Sequence, residues 1–269
     1  MKNRSWMKIP VSLLLLGIGV SAMCDADLQT GTFTFGEGKK GYLFLPENFQ
    51  VGGNFKFLLF LHGRGAAPGT AGNFGTPAFA KFRELCSEKG YVVAVPPLGS
   101  RWYNAQSEKD VEAMLNFLED KLKLDLRRFH VMGCSMGGMS ALLYTGRHSE
   151  RVITLCDVFG PFDLKTFAEG EYKENIKASY GGDYEQCRAF YESRNPRNYA
   201  GVLKNVPLLA IHGEIDRKVP FEHAVLLADT IKKMGGKSFE LVAVPKIGHS
   251  NAIIKGLEEK IIDFMEKHR

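Results

Sequence analysis

Cysteine is scarce in this chain, and neither an internal repeat nor a low-complexity tract is present. The five cysteines lie at positions 24, 86, 134, 156 and 187, and none has the spacing of a zinc site or of a Cys-x-x-Cys motif. We therefore expect no metal and no cofactor. The absence of a repeat argues against a solenoid or a similar repeat architecture.

An excess of charge of one sign is also missing. The formal net charge is +5, from 35 basic and 30 acidic residues. Residues 1–22 hold three bases, Lys2, Arg4 and Lys8, and no acid, so the rest of the chain is near +2. No basic patch is interleaved with aromatic residues, which argues against a nucleic-acid partner. With 45% apolar and 24% charged residues, the composition is that of an ordinary globular protein.

The N-terminal segment has the pattern of a secretory signal peptide. Its basic residues precede an apolar stretch over residues 11–20, which is too short for a comfortable membrane span. Small residues then favour cleavage after Ala22, with Ala26 as the second choice. Cys24 offers a lipoprotein alternative, which the bulky Met23 before it disfavours. We expect an exported protein, periplasmic or extracellular, without a transmembrane span in its mature form.

Gly133-Cys134-Ser135-Met136-Gly137 matches the Gly-x-Ser-x-Gly pattern of a nucleophile elbow. An apolar run over 128–132 reads as a strand, and the run over 140–144 reads as a helix. A sharp strand-to-helix turn lifts the serine hydroxyl clear of the sheet, and the flanking glycines leave room where backbone approaches backbone. The pattern predicts that Ser135 is a catalytic nucleophile.

The chain then supplies an acid and a base in the order Ser, Asp, His that this architecture requires. Asp216 follows an apolar strand that ends in His-Gly, and it is the preferred acid. Asp157 also ends an apolar strand and is the main rival, while Asp163 and Glu214 are weaker ones. The preferred base is His249, on the loop between the last strand and the last helix.

A fourth segment, His62-Gly63-Arg64-Gly65, follows an apolar strand over 57–61. Such a loop can aim a backbone N–H at a developing oxyanion, with a second N–H from the residue after the serine. The donors would be the amides of Arg64 and Met136. We interpret His62 itself as a structural hydrogen bonder.

Extended and amphipathic segments alternate, which predicts an α/β fold with a mostly parallel eight-stranded sheet and helices on both faces. The candidate strands are 31–35, 41–45, 56–61, 91–95, 129–133, 152–156, 206–211 and 239–244, of which the first two should form an antiparallel edge. The candidate helices are 77–89, 108–124, 221–234 and 251–267. All the catalytic candidates follow strands, at the edge where open α/β sheets bind ligands.

Residues 158–205 are more than a simple crossover needs, and they predict a small helical insertion over the active site. The expected organisation is a signal peptide over 1–22 and a single catalytic domain over 23–269. Cys134 and Cys156 lie near the ends of strands that should be neighbours. A disulfide there is conceivable, but buried free thiols fit better because cysteine packs as a small hydrophobe.

Taken together, these motifs resemble the α/β-hydrolase superfamily from about residue 41 to the C-terminus. The segments His-Gly-x-Gly, Gly-x-Ser-x-Gly-Gly, His-Gly-x-x-Asp and Gly-His are similar to those of its secreted esterase and prolyl-oligopeptidase-like branch, which includes dienelactone-hydrolase-like proteins. The resemblance implies a serine hydrolase of the carboxylesterase type that acts through an acyl-enzyme on small or polysaccharide-linked esters.

Three alternatives remain open at this stage. One is a peptidase or amidase of the prolyl-oligopeptidase type, although members of that branch usually carry a large propeller domain for which this chain has no room. The others are acyl transfer to an acceptor other than water and a non-catalytic binding protein on the same scaffold.

The substrate-binding candidates come from the loop after the strand at 91–95. Trp102 and Tyr103 could stack on a sugar or an aromatic acyl group, or pack at the rim of the site. Arg64 and Arg101 could meet a substrate carboxylate.

Overall fold

The structure is a computed structural model, and it describes residues 28–268. The predicted signal peptide, its cleavage sites and Cys24 lie outside these residues. Within the described residues, no helix is both long and apolar enough to cross a membrane.

Eight strands form one sheet in the order β1-β2-β4-β3-β5-β6-β7-β8. The strand β2 pairs antiparallel with β1 and β4, and all the other neighbours are parallel. The predicted fold class is confirmed, including the antiparallel edge. The strands are β1 Gly31–Phe35, β2 Lys39–Phe44, β3 Lys56–Leu61, β4 Tyr91–Val95, β5 Phe129–Cys134, β6 Val152–Val158, β7 Leu208–Gly213 and β8 Phe239–Val244.

Nine α-helices lie in the described part of the chain, and short 3-10 turns join several of them. They are α1 Ala80–Glu88, α2 Ala105–Leu122, α3 Met136–Arg147, α4 Leu164–Phe167, α5 Lys173–Tyr180, α6 Arg188–Ser193, α7 Ala200–Leu203, α8 Glu222–Lys233 and α9 Glu258–Lys267.

Both faces of the central strands are buried because successive side chains of a strand point to opposite faces. In β3, Leu59 and Leu61 pack in the core under α2, α3 and α8, whereas Leu58 and Phe60 pack in the core under α1 and α9. All four side chains are fully buried. This two-sided burial explains why β3 is a continuous apolar run, as expected of a parallel strand with helices on both sides.

The last predicted helix differs from the structure. Residues 251–267 form a 3-10 turn, Asn251–Ile254, and a separate helix α9. Gly256 adopts a positive φ of 82° between them, a conformation that stops a helix and that glycine adopts without strain. The apolar residues Ile253, Ile254 and Ile261 are nevertheless buried against the sheet side of the core.

The cysteines of the described chain are free thiols. Cys156 pairs in register with Met132 rather than with Cys134, so the two thiols are offset along β5 and β6. Burial raises the pKa of the Cys134 thiol, first by desolvation and then through the neighbouring Cys156 and Asp157. These thiols therefore behave as small apolar core groups.

Helices α4 to α7 form the segment between β6 and β7, within the predicted insertion. This segment packs on the turn that precedes α2. Trp102 Nε1 donates to Asn175 Oδ1 at 2.6 Å, and Tyr180 Oη donates to the carbonyl of Trp102 at 2.7 Å. The turn and the helical segment therefore form one packed unit beside the sheet edge.

Candidate active site

The turn between β5 and α3 is a strained elbow at Ser135. This serine has φ 58° and ψ −122°, and its amide donates to the carbonyl of Val158 at 2.9 Å. A Cβ at Gly133 would lie 2.0 Å from the oxygen of Gly137, and one at Gly137 would lie 1.9 Å from the oxygen of Leu61. Only glycine fits at both positions, so the Gly-x-Ser-x-Gly pattern has the steric cause that the sequence predicted.

The structure brings Ser135, His249 and Asp216 together, as expected from the sequence. His249 Nε2 lies 2.8 Å from Ser135 Oγ, and His249 Nδ1 lies 2.6 Å from Asp216 Oδ2. These residues follow β5, β8 and β7, whose carboxyl ends meet at one edge of the sheet. With the carboxylate accepting from Nδ1–H, the lone pair of Nε2 faces the serine hydroxyl.

Asp216 is held as a buried carboxylate. Its Oδ1 accepts from the amides of Lys218 at 2.8 Å and Val219 at 3.0 Å. Burial opposes the charged form, but the hydrogen bonds from His249 and from these amides outweigh it and hold the pKa of Asp216 below its usual range. The carboxylate therefore stays charged beside His249 at neutral pH.

The rival acids lie elsewhere. Asp157 accepts from the amide of Gly160 at 3.0 Å and makes no hydrogen bond or ion pair with His249 in the described chain. Asp163 caps α4 through the amide of Lys165 and pairs with Arg197. Glu214 is exposed. Only Asp216 among these four candidates is bonded to the base.

Asp157 should instead make stability depend on pH. Burial raises its pKa from 3.8 to about 7. The folded protein therefore holds a proton that the unfolded chain releases, and this contribution to stability is lost as pH rises from about 4 to 7. Asp157→Asn stays neutral, so we expect its melting temperature to exceed that of the wild type by about 5–10 °C at pH 8.5, with little difference at pH 4. Thermal unfolding at both pH values measures this, and an equal difference at the two would contradict it.

The loop of His249 is fixed by its neighbours. The amide of Ile215 donates to the carbonyl of Ile247 at 3.3 Å, which ties the acid loop to the base loop. The ring of Phe159 packs on the imidazole of His249 with 4.5 Å between centroids. Phe159 has a positive φ of 44°, unusual for a residue with a bulky side chain. The imidazole is thus packed from one side by an apolar ring.

The His-Gly-x-Gly loop is also held rigidly. His62 is buried; its Nε2 accepts from the amide of Leu98 at 3.1 Å, and its Nδ1 donates to the carbonyl of Gly63 at 2.7 Å. Burial lowers the pKa of His62, so its ring is neutral, as this pair of bonds requires. Within the described chain, the amides of Arg64 and Met136 have no hydrogen-bond acceptor.

A cavity of about 1180 Å³ opens over Ser135. One side is formed by Arg64, Phe159 and Tyr172, and much of the rest by small or neutral polar residues of the loops after β3 and β8. Asn73 and Asn251 belong to these loops. The space is large enough for a substrate of several residues or its equivalent.

Two of the predicted substrate residues are not in this cavity, and the prediction for them is wrong. Trp102 and Tyr103 have positive φ values of 47° and 51°, and both residues are buried, with exposed fractions of 2% and 0%. Trp102 packs instead under Tyr172, with 5.4 Å between ring centroids. It therefore supports the cavity wall and does not form part of it.

Arg101 is also placed outside the cavity. Its guanidinium binds Asp110 at 2.8 Å and the carbonyls of Pro97 and Leu98. The hypothesis that it meets a substrate carboxylate is therefore wrong, because Arg101 does not line the cavity over Ser135 and its guanidinium is bound to Asp110, which also binds Lys39 at 2.9 Å. The same hypothesis for Arg64 is left standing.

Sequence reasoning missed the polar link between the loops. Asn73 Oδ1 accepts from the amide of Gly63 at 2.6 Å, and its Nδ2 donates to Asn251 Oδ1 at 2.8 Å. The two asparagines are 178 positions apart along the chain, and no local motif marks either of them. Nor are three His, Cys, Asp or Glu side chains grouped as a metal site requires anywhere between residues 28 and 268.

With this geometry in view, comparison with known proteins decides the family. The model of the prolyl oligopeptidase family matches residues 82–269. The chain belongs to the prolyl oligopeptidase family. A curated relative, dipeptidyl-peptidase 5 of Porphyromonas gingivalis, is 25% identical over 226 residues, which cover 77% of this chain and 32% of the relative.

Solved structures share the fold. An acylaminoacyl peptidase from Pyrococcus horikoshii superposes with a TM-score of 0.68 at 19% identity, covering 90% of this chain and 42% of that one. An S-formylglutathione hydrolase from Agrobacterium tumefaciens gives 0.70 at 16% identity, covering 86% of this chain and 90% of that one. The chain spans about a third of the length of curated relatives that match more than three quarters of it.

Proposed function

We propose that this member of the prolyl oligopeptidase family is a serine hydrolase that cleaves peptide or other amide bonds through an acyl-enzyme intermediate. The observation that carries the proposal is the continuous chain of hydrogen bonds from Ser135 through His249 to Asp216. A nucleophile, a base and an orienting acid in this geometry are the parts that acyl transfer needs.

In the proposed first step, Ser135 Oγ attacks the substrate carbonyl while His249 Nε2 takes the hydroxyl proton. The tetrahedral intermediate then collapses, the amine leaves with the proton from Nε2, and the acyl group stays on Ser135. Water, deprotonated by His249, attacks the ester and releases the acid. Asp216 holds the imidazole in the required tautomer and stabilises the imidazolium in both steps.

The negative charge on the intermediate would be held by the amides of Arg64 and Met136. Arg64 lines the same cavity as Ser135, and Met136 follows Ser135 in the chain. Neither amide donates a hydrogen bond to another group in the described chain. The second lies at the first turn of α3, where the helix dipole also favours negative charge. Each donor of this kind contributes about 3–4 kcal/mol to transition-state stabilisation in enzymes where one was removed.

A peptide substrate is favoured over a carboxylic ester by the family to which the chain belongs and by the peptidase names of its relatives. The preference for an ester that the sequence suggested came from the general habits of secreted relatives, and no residue supports it directly. The likeness to an S-formylglutathione hydrolase shows the shared fold alone.

The test of this function is cleavage of matched pairs. Short acyl-peptides and their p-nitroanilides would be compared with p-nitrophenyl esters of the same acyl groups, with products identified by mass spectrometry. Amide cleavage that disappears on treatment with a fluorophosphonate supports the proposal. Turnover of esters with no cleavage of any amide would overturn the peptidase assignment and restore the esterase.

Asn73 should be a positioning residue in this reaction. Asn73→Ala removes the acceptor for the amide of Gly63 and so loosens the loop that carries the amide of Arg64. We expect kcat to fall about 10- to 100-fold with KM nearly unchanged, because small displacements at the reacting centre are costly. Asn251→Ala removes the bond from Asn73 Nδ2 and a longer bond to Thr76 Oγ1 at 3.5 Å, but it leaves the bond from Asn73 to the amide of Gly63 in place and should cost less. Steady-state kinetics of both variants measure this, and a change confined to KM would rule out the role.

A further inference from the structure

The cavity over Ser135 has an unusual charge distribution. Arg64 is the one side chain with a fixed charge among the described residues that line it, and none of them is an acid. Thr32, Asn73 and Ser250 are typical of the remaining polar groups, which are neutral. A substrate in this cavity therefore meets a positive charge that nothing in the wall balances.

The guanidinium of Arg64 has no acidic partner in the described chain. Most other arginines do, as in the pairs Arg101–Asp110 and Arg147–Glu108. Glu171, which precedes Tyr172 in the chain, is bound to Lys218. Arg64 is exposed and lines the same cavity as Ser135. Its charge is therefore available to bind a ligand.

Arg64 is held in place without losing its hydrogen-bonding capacity. Its guanidinium lies 5.1 Å from the centroid of the Tyr172 ring, within the range of a cation–π contact. Tyr172 in turn packs on Trp102 and Phe167, at 5.4 and 5.7 Å between centroids. A cation–π contact uses none of the guanidinium N–H donors, and in the described chain they make no hydrogen bond, so two parallel bonds to a ligand remain available.

The backbone places this group close to the chemistry. The amide of Arg64 is one of the two proposed oxyanion donors, so its side chain starts at the scissile carbonyl and reaches no further than its own length. A single cation with a free planar edge matches a monoanion with two oxygens in a plane, which is a carboxylate. A phosphate dianion would leave a negative charge unbalanced in this wall.

We propose that Arg64, in cation–π contact with Tyr172, forms a carboxylate-binding subsite, and that the preferred substrates carry a carboxylate near the scissile bond. This rests on the proposed function. Two peptide groups supply such a carboxylate, an acidic side chain and a free C-terminus. A guanidinium can bind either carboxylate in the same way, and the experiment below distinguishes the two sources.

The test uses two matched pairs of substrates. The first pair is a peptidyl p-nitroanilide with Glu or Gln at the same position, and the second is a short peptide ending in a carboxylate or a carboxamide. We expect the wild type to favour the anionic member of at least one pair by about 10- to 100-fold in kcat/KM, as a charge-assisted bidentate contact provides. The pair that shows it identifies the source of the carboxylate.

Variants assign the preference to this residue. Arg64→Gln should bring the ratio of anionic to neutral kcat/KM close to one, and Arg64→Lys should retain only part of it because an ammonium lacks the planar fork. Arg128→Gln is the matched control; Arg128 is exposed at the start of β5, the opposite end of the strand from Ser135. It removes the same charge and should leave the ratio unaltered. A wild-type ratio near one for both pairs, or a ratio that survives Arg64→Gln, would overturn the proposal.

A binding measurement tests the carboxylate subsite independently of the proposed hydrolytic activity. Calorimetry on the Ser135→Ala variant measures affinity for the uncleaved members of each pair without any turnover. Tighter binding of the anionic member that is lost when Arg64→Gln is added supports the subsite even if no amide is ever cleaved. Equal affinities would overturn it even if hydrolysis is fast.

Discussion

Replacement of Ser135 by alanine is expected to lower kcat by about a millionfold, to a residual rate that the remaining site supports without a nucleophile. Among the described residues, the substitution removes one side-chain bond, from Ser135 Oγ to His249 Nε2. Alanine keeps the Cβ, so the elbow retains its backbone, and the melting temperature should change by only a few degrees. Hydrolysis of the best peptide substrate, with circular dichroism of the same sample, measures both effects.

A matched control makes the result specific. Helix α3 begins beside Ser135, and Ser149 lies just beyond the other end of this helix. Ser149→Ala removes a hydroxyl there and should leave kcat unchanged. Intact-mass analysis after fluorophosphonate treatment gives a second readout, with one adduct expected on the wild type and none on Ser135→Ala. Full activity in Ser135→Ala would show that the reaction uses another nucleophile.

The parts of the site that the sequence predicted all follow from one geometric fact. In a parallel sheet the carboxyl ends of the strands meet at one edge, so segments that follow β5, β7 and β8 are brought together however far apart they are in the chain. Ser135 and His249 each had a local pattern of strand, turn and helix around them. The sequence could therefore predict that these residues meet without any knowledge of their side-chain contacts.

The choice between Asp216 and Asp157 could not be made in this way. Both acids follow apolar strands, and the two strands are neighbours in the sheet. What separates them is the path of the backbone after the strand. Asp216 lies in the turn after β7, which presents its carboxylate to His249, whereas Asp157 is still within β6, next to its last residue, and accepts from the amide of Gly160.

The wrong prediction that Trp102 and Tyr103 bind the substrate has a different cause. Trp102 and Tyr103 occupy positive φ, which the sequence does not signal for aromatic residues. Asn175 and Tyr180, the hydrogen-bond partners of Trp102, lie more than 70 positions away in α5, whose docking depends on the whole fold. For the same reason Tyr172, which does line the cavity, carries no pattern in the sequence that distinguishes it from other surface aromatics.

The preference for an ester shows the limit of a resemblance at the level of a superfamily. One fold supports many acyl-transfer reactions, and the triad is the same for esters and amides. The family match over residues 82–269 favours an amide over an ester substrate, whereas the four motifs alone are common to both kinds of hydrolase. The proposed carboxylate subsite at Arg64 concerns another part of the substrate and does not distinguish an ester from an amide.

Asp216→Asn is the second change with a large expected effect. An asparagine keeps the shape but presents either a neutral oxygen or an amide N–H to His249 Nδ1. The negative charge that stabilises the imidazolium is lost, and the N–H orientation favours the tautomer in which Nε2 carries the proton and cannot accept one from Ser135. We expect kcat to fall about 10⁴-fold, the size of effect seen when the acid of a serine–histidine–aspartate triad is replaced in this way.

Asp157→Asn is the matched control for this effect, since it is the same chemical change at the end of the neighbouring strand. Asp157 has no bond to His249, so its variant should keep kcat within about a factor of three while changing the pH dependence of stability. Steady-state kinetics of the two variants at pH 8 compare them directly. A large loss in Asp157→Asn with little loss in Asp216→Asn would mean that the acid bonded to His249 in the structure is not the one that acts in the reaction. We expect the large loss in Asp216→Asn instead, because His249 Nδ1 lies 2.6 Å from Asp216 Oδ2. Hydrogen bonds from this imidazole and from two backbone amides keep the buried carboxylate of Asp216 charged.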